Sequence, residues 1–241
     1  MRRLLRNVLN QLGFDIHRIE FAGLPIDVLS LAVRDHLRQM ATLFVLQVGA
    51  NDGTSGDPVA DLIRAYRLPS LLVEPLHEAF RRLQVNYSDQ QQVRLENCAV
   101  AEVDGIKPLW RVVGDSVPAW ASQWASFERG VVERNSRSLK CAYHIESVNV
   151  PTMTIASLLA KHGVEDLGLL QIDTEGYDDH ILQMVFDARQ LPQIISYEYA
   201  HLTTDRRNRA MKLLTERGYR TCRVGRDVIA VNTDDSGTAE R

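Results

Sequence analysis

The chain has 241 residues, 45% hydrophobic and 24% charged, enough to bury the core of one large α/β domain. Its net charge of −3, with acids and bases mixed along the chain, supplies no field that would gather nucleic acid, so no nucleic-acid partner is expected. Cys98, Cys141 and Cys222 lie far apart with no CxxC pair, which fits reduced thiols in a cytoplasmic protein and neither a disulfide framework nor a zinc site. No apolar run approaches the roughly 20 residues of a spanning helix, and the N-terminus lacks an unbroken apolar stretch with a small-residue cleavage site.

In chain order, residues 1–40 form an expected N-terminal helical segment. MRRLLRNVLNQLGFDIHRIE places Leu4, Val8 and Leu12 on one stripe with Arg2, Arg3 and Arg6 elsewhere, a short basic amphipathic helix. Such a helix either caps the main domain or makes a peripheral contact with a partner or the inner face of a membrane. A second helix is expected over residues 26–40. From there to residue 232 the pattern is that of one domain. Strand-like runs at 43–49, 70–75, 93–100, 167–173 and 192–199 alternate with helical stretches around 57–67, 76–87, 154–163, 177–188 and 205–217. That alternation predicts a mainly parallel sheet covered by helices on both faces. YRTCRV and DVIAVN flank Gly225-Arg226 and are expected to pair as a hairpin, leaving an antiparallel strand at the C-terminal edge of the sheet. Residues 233–241 are polar and expected to be a flexible tail. Residues 106–150 break the rhythm and carry Trp110, Trp120, Trp124, Phe127, Tyr143 and His144, which suggests a lid holding the acceptor pocket, or a cover for a sheet edge.

The first strand ends in VGANDG, where a ligand binds in an open α/β sheet. A dinucleotide site calls for G-x-G-x-x-G running directly into a helix, and no Gly-Lys-Ser/Thr follows for a P-loop. Gly49-Ala50-Asn51-Asp52-Gly53 instead sets an acid in the turn, which would repel a pyrophosphate and suit a cationic ligand such as S-adenosylmethionine. Glu74 closes the second strand about 25 residues later, where an acid can accept hydrogen bonds from both ribose hydroxyls of an adenosine. Asn97, Cys98, Ala99 and Val100 offer small side chains and backbone donors for an adenine edge. LLQIDTEGYDDHIL delivers Asp173 and Glu175 to the tip of the fourth long strand, with Thr174 and Asp178 as structural caps in the alternative reading. Glu198 closes the fifth, followed by His201.

This ordered set, VGANDG, VEP with Phe80 and Asn86 following, ENCAV, VPTMTIASLL and LLQIDTEGYDDHIL, resembles the FkbM-type methyltransferases over about residues 43–200. The resemblance implies a Rossmann-like class I methyltransferase fold and S-adenosylmethionine as cofactor. It also implies methyl transfer to an oxygen, often a hydroxyl of a sugar, glycan or natural product. On this reading Gly49, Ala50, Asn51, Asp52, Gly53, Glu74, Asn97 and Ala99 contact the cofactor. Asp173, Glu175, Glu198 and His144, in that order, are the candidate bases for a neutral alcohol. A divalent metal held by the same carboxylates is an alternative, and none is expected. Two positions depart from the family pattern: Gln171 stands at a common lysine, and Thr154-Ile155 replaces a Thr-Leu-Asp start, removing a helix-start carboxylate. The rival readings are a catalytically silent Rossmann-like module that binds an adenosine ligand and, third, a nicotinamide-dependent oxidoreductase.

Overall fold

The computed structural model describes residues 26–118, 121 and 124–233; the basic helix read in the first 20 residues, Trp120 and the tail beyond Thr233 lie outside them. After helix α1 (Val28–Gln39) come β1 (Val45–Val48), α2 (Ala60–Tyr66), β2 (Ser70–Val73), α3 (His77–Asn86) and β3 (Val93–Glu96). Each of these three strands is parallel to its neighbour. Farther along, α5 (Ile155–His162), β7 (Leu169–Ile172), α6 (Asp178–Asp187), β8 (Ile194–Glu198) and α7 (Thr204–Thr215) continue the alternation on the other side of β1. The final pair, β9 (Tyr219–Val224) and β10 (Asp227–Asn232), completes a seven-stranded sheet of order β3-β2-β1-β7-β8-β10-β9.

The central strands are short and apolar because both of their faces are covered. Every residue of β1, β2, β7 and β8 is buried, so period-2 alternation is absent and the runs read as continuous β-type stretches. Alternate residues feed two cores. Leu46, Leu71, Leu170 and Ile195 pack on one face with Ile155, Leu158, Ile181 and Leu214. Val45, Leu72, Leu169 and Ile194 pack on the other with Leu29, Val33, Ile63 and Leu83. The hairpin expected at Gly225 is present, and its antiparallel member, β10, lies one place in from the edge between β8 and β9.

Two segments differ from expectation. The run at 93–100 is not one strand: β3 ends at Glu96, and Ala99–Val100 form β4 in a separate three-stranded sheet of order β4-β6-β5. Asn97 makes the break, because its Nδ2 donates to the carbonyls of Glu74 (2.7 Å) and Pro75 (3.2 Å) and ties the chain to the neighbouring tip instead of extending the ladder. The stretch at 106–150 is also more regular than its composition suggests. β5 (Gly105–Val113) and β6 (His144–Met153) pair antiparallel along their length, and α4 (Arg129–Ser136) packs between them in sequence. The helix-start carboxylate missing after Thr154 is supplied across the chain by Asp104, which accepts from Thr154 N at 2.7 Å and Ser157 Oγ at 2.6 Å. Thr154 itself caps α5 by accepting from Ser157 N.

The sheet tips come closest where β1 turns. Gly49 has φ +86°, and a Cβ on it would stand 1.8 Å from the carbonyl oxygen of Asp173. Gly49→Ala is therefore expected to destabilise the domain by more than about 3 kcal/mol or to prevent folding. Gly56, also at positive φ but with nothing within 4 Å of a built Cβ, should cost only the left-handed penalty of about 1–2 kcal/mol as Gly56→Ala. Urea unfolding of the two variants beside the parent measures the difference.

Candidate active site

The tips of β1, β2 and β7, with β4 and the β5–β6 insertion, enclose a cleft of ≈ 940 Å³ that is partly open to solvent. Its first wall is the turn after β1. Gly49 N and Ala50 N both donate to Val73 O at 3.0 Å, bending the chain over the β2 tip. Asn51 takes φ +47° and donates its N–H to Glu74 Oε2 at 2.9 Å, while Leu76 N donates to Oε1 at 2.8 Å. One buried carboxylate thus fastens two loops together. Burial raises the pKa of Glu74 to about 7, against the two N–H groups and Arg82, which favour the anion. Each carboxylate oxygen retains acceptor capacity, and Glu74 lines the cleft with Gly49, Ala50 and Asn51.

Other residues expected at the cofactor have different work. Asp52 does not line the cleft; its carboxylate turns back to accept from Thr54 N, Ser55 N and both of their hydroxyls at 2.8–3.1 Å. Partial burial raises its pKa, and those bonds more than offset it, so Asp52 stands below the usual carboxylate range. Its oxygens are directed at the loop's own donors. Gly53 packs against Tyr87 and Leu83 of the α3 side, and Asn97 is spent on the β2 tip, leaving Cys98, Ala99 and Val100 as the lining from that segment. Four residues not singled out from the sequence, Gln47, Ser55, Asp57 and Pro58, line the opposite wall with Gln171. Asp57 carried a signal, an acid just ahead of α2, where it accepts from Val59 N and Ala60 N. Gln47 and Gln171 are register partners under the β1–β7 fork, and the carbonyl oxygen of each is buried without a partner among the described residues.

The β7 tip supplies the acidic end. Asp173 opens onto the cleft, and its carboxylate has no hydrogen-bond partner among the described residues. Desolvation, then the charges of Asp178, Glu175, Glu198 and Asp227, push its pKa up from the ordinary value. Glu175, at φ +52°, also lines the cleft. Its Oε2 is 2.9 Å from Asn135 Nδ2 and 2.9 Å from His201 Nε2. Its carbonyl accepts from Ser126 Oγ at 2.8 Å, so two residues of the insertion hold it in place. Glu198 sits just behind, not lining the cleft, with Oε1 accepting from Arg226 Nε at 2.6 Å and Oε2 3.2 Å from His201 Nε2. Burial raises its pKa, with His201 and Arg226 opposing. The alternative structural reading holds for Asp178, which is fully buried and accepts from Thr174 Oγ1, Gly176 N and Glu198 N.

His144 is not brought to these carboxylates. It starts β6, its side chain is 69% exposed, and it lies 3.9 Å from Glu146 in a separate groove with Arg82 and Arg111. His201 is the histidine that reaches Glu175 and Glu198, behind the cleft lining. Trp110 and Trp124 likewise leave the cleft to pack with Val112, Ala121 and Val132 between ribbon and α4. The insertion reaches the cleft instead through Leu109, Ala125 and Phe127. Phe127 meets Tyr177 edge-on at 5.1 Å, and Lys107, paired with Glu102, lies over the Phe127 ring. Tyr177 donates its hydroxyl to the same Glu102.

A family model described as the methyltransferase FkbM domain matches residues 47–221. Among solved structures, the chain is similar to methyltransferase FkbM from Methylobacillus flagellatus KT, at 15% identity and TM-score 0.48, covering 78% of this chain and 43% of that one. It thus spans less than half of that protein's length. It is also similar to precorrin-6y C5,15-methyltransferase from Geobacter metallireducens GS-15, at 12% identity and TM-score 0.42, covering 89% and 91%. A third is the O-methyltransferase from Bacillus cereus in complex with SAH, at 10% identity and TM-score 0.43, covering 96% and 90%. No curated protein matches the sequence.

The buried acids make stability depend on pH. Glu74 and Asp178 titrate near 7 in the fold, raised from 4.5 and 3.8 chiefly by burial. An acid raised in the folded state contributes most when protonated, so its share is present below about 4 and is lost as pH rises through about 7. His201, raised by Glu175 and Glu198 against its burial, loses its contribution in the same direction. The urea midpoint is therefore expected to fall between pH 5.5 and pH 8, by an amount equivalent to roughly 1–3 kcal/mol, and the fall should shrink in Glu74→Gln.

Proposed function

Because the chain belongs to the FkbM methyltransferase family, we propose that it is an S-adenosylmethionine-dependent O-methyltransferase whose acceptor is a hydroxyl of a sugar, glycan or natural product. The observation that carries the reading is the pairing, in one cleft, of Glu74 at the β2 tip with the unpartnered carboxylate of Asp173 at the β7 tip. The residues present fit the cofactor. Glu74 has acceptor capacity left for a ribose diol, the positive φ of Gly49 lets a ligand approach the backbone, and Cys98, Ala99, Leu109 and Phe127 give a small, apolar wall for a base. Bound there, S-adenosylmethionine supplies a methyl group on a sulfonium, already a strong electrophile.

The protein's task is then to align an acceptor oxygen, exclude water and take one proton. Asp173 is suited to the last step. Desolvation and the neighbouring acids raise its affinity for a proton, and it opens onto the cleft with no competing donor among the described residues. Glu175, held from both sides by Asn135 and His201, orients a second hydroxyl or the attacking one. The insertion covers this end of the cleft and supplies part of the acceptor wall. Phe127 and Tyr177 present faces and edges of the kind that pack against a sugar ring or an aromatic acceptor. A cytoplasmic location, and a contact with a membrane or partner through the basic N-terminal segment, complete the reading; no described helix is long and apolar enough to cross a membrane.

Two variants separate binding from chemistry. Glu74→Ala should weaken S-adenosylhomocysteine by at least about tenfold in calorimetry, through loss of charge-assisted bonds of about 1.5–3 kcal/mol each. Asp173→Asn should leave that affinity within about threefold while lowering turnover of any accepted substrate by roughly 10²–10⁴. Unchanged affinity in a folded Glu74→Ala protein, or full turnover in Asp173→Asn, would contradict the assignments.

A further inference from the structure

Behind the cleft, three ligand-type atoms converge from two loops. His201 Nε2 is 2.9 Å from Glu175 Oε2 and 3.2 Å from Glu198 Oε2, and all three atoms lie within 4.8 Å of one another. None of the three side chains is more than 16% exposed. Nη2 of Arg226 stands 2.7 Å from the same imidazole nitrogen. No protonation state of His201 satisfies this set. With a proton on Nε2, the ring donates toward the carboxylates, which already accept from Asn135 and Arg226, and meets an N–H of Arg226 head-on. Without one, it accepts from Arg226 and turns its lone pair toward two carboxylates.

A divalent cation resolves the conflict. Metal–nitrogen and metal–oxygen bonds of about 2.0–2.2 Å place ligands at adjacent coordination positions about 3 Å apart, which is the spacing that His201 already keeps to each glutamate. A separate observation points to the same place from the cleft side. Asp173, two residues before Glu175, presents to the cavity a carboxylate with no hydrogen-bond partner among the described residues. Asp178 and Asp227 add further negative charge around it, against the cations Arg226 and His201. Arg226 is 63% exposed on the β9–β10 turn, so its guanidinium can be solvated if it gives up its bond to Glu198. Asn135, whose amide now faces Glu175, would offer its oxygen after a half-turn.

We propose that Glu175, Glu198 and His201 form a binding site for a first-row divalent cation of the Mn²⁺ or Zn²⁺ type, with its open positions toward the cleft between Glu175 and Asp173. One imidazole with two carboxylates selects such ions over Ca²⁺, which calls for an all-oxygen shell. The ion's role rests on the methyl-transfer reading, though its binding does not. It would hold the acceptor oxygen and lower the hydroxyl's pKa; the proton would pass to Asp173, and the oxygen would take the methyl group as the methyl–sulfur bond breaks and the neutral thioether S-adenosylhomocysteine leaves.

The test uses the full chain, stripped with a chelator and dialysed, titrated with MnCl₂ while the electron paramagnetic resonance signal of free Mn²⁺ is followed. One saturable equivalent is expected below about 100 µM free ion. Glu198→Gln and His201→Ala should each weaken it at least tenfold. Arg226→Gln, which removes the competing guanidinium at an exposed position, should tighten it, an effect that a purely structural ion-pair network would not produce. Absence of saturable binding in both the parent and Arg226→Gln overturns the site, as does binding that none of the three variants alters. S-adenosylhomocysteine binding, measured separately by calorimetry, keeps the two readings apart. Mn²⁺ bound without it leaves the ion site standing and the transferase reading fallen, and the reverse result does the opposite.

Discussion

The approach of Gly49 to the carbonyl of Asp173 governs the geometry of the whole cleft. Parallel strands β1 and β7 lie side by side through Val48 and Ile172, and Asp173 N still donates to Val48 O at 2.9 Å. One residue later the chains must part, and the left-handed turn at a residue without a Cβ lets β1 leave toward β2 while β7 leaves toward β8. The opening between them is the floor of the cleft. Glu74 then fixes its width, since a single carboxylate accepts from Asn51 of one loop and Leu76 of the other. Two backbone N–H groups that would otherwise be orphaned are satisfied by the side chain that also lines the cleft.

The opposite end depends on charge. Five acids, Asp173, Glu175, Asp178, Glu198 and Asp227, influence one another around the tips of β7 and β8. Some of that cost is met by hydrogen bonds to Asp178 and by Arg226 and His201. Asp173 has no hydrogen-bond partner among the described residues, and Arg226 faces it only through its charge. The insertion belongs to the same network. Ser126 and Asn135 grip Glu175, and Arg206 joins Glu128 of the insertion to Asp179 of α6, so the insertion and the acidic tip are positioned by shared bonds.

Much of this was legible in the sequence. Apolar runs broken at regular intervals read as buried parallel strands, and Gly49, Glu74, Asp173 and Glu175 stood out because each falls where a strand ends. What was not legible follows from side-chain direction. Asp52 looked like a ligand for positive charge, yet its acceptors are closer to the N–H groups two and three residues ahead, and that local competition decides where it points. Asn97 turned to the neighbouring tip, breaking a run that periodicity read as one strand. His144 and His201 are equally plausible by type, and only the antiparallel ribbon, which carries His144 away from the cleft, separates them. Gln171 stood out only as a departure from the family's lysine and Gln47 not at all; they become a pair of buried amides once β1 and β7 are set in register.

The claim on which the account rests is that the β1–β7 fork and Glu74 form an adenosine site for a sulfonium cofactor. Native mass spectrometry of the purified chain, incubated with equimolar S-adenosylhomocysteine, NADH and ATP, tests it without knowledge of the acceptor. The account predicts a single adduct with the mass of S-adenosylhomocysteine, and its loss in Glu74→Ala. An NADH or ATP adduct in its place, or an S-adenosylhomocysteine adduct that survives intact in Glu74→Ala, would contradict it.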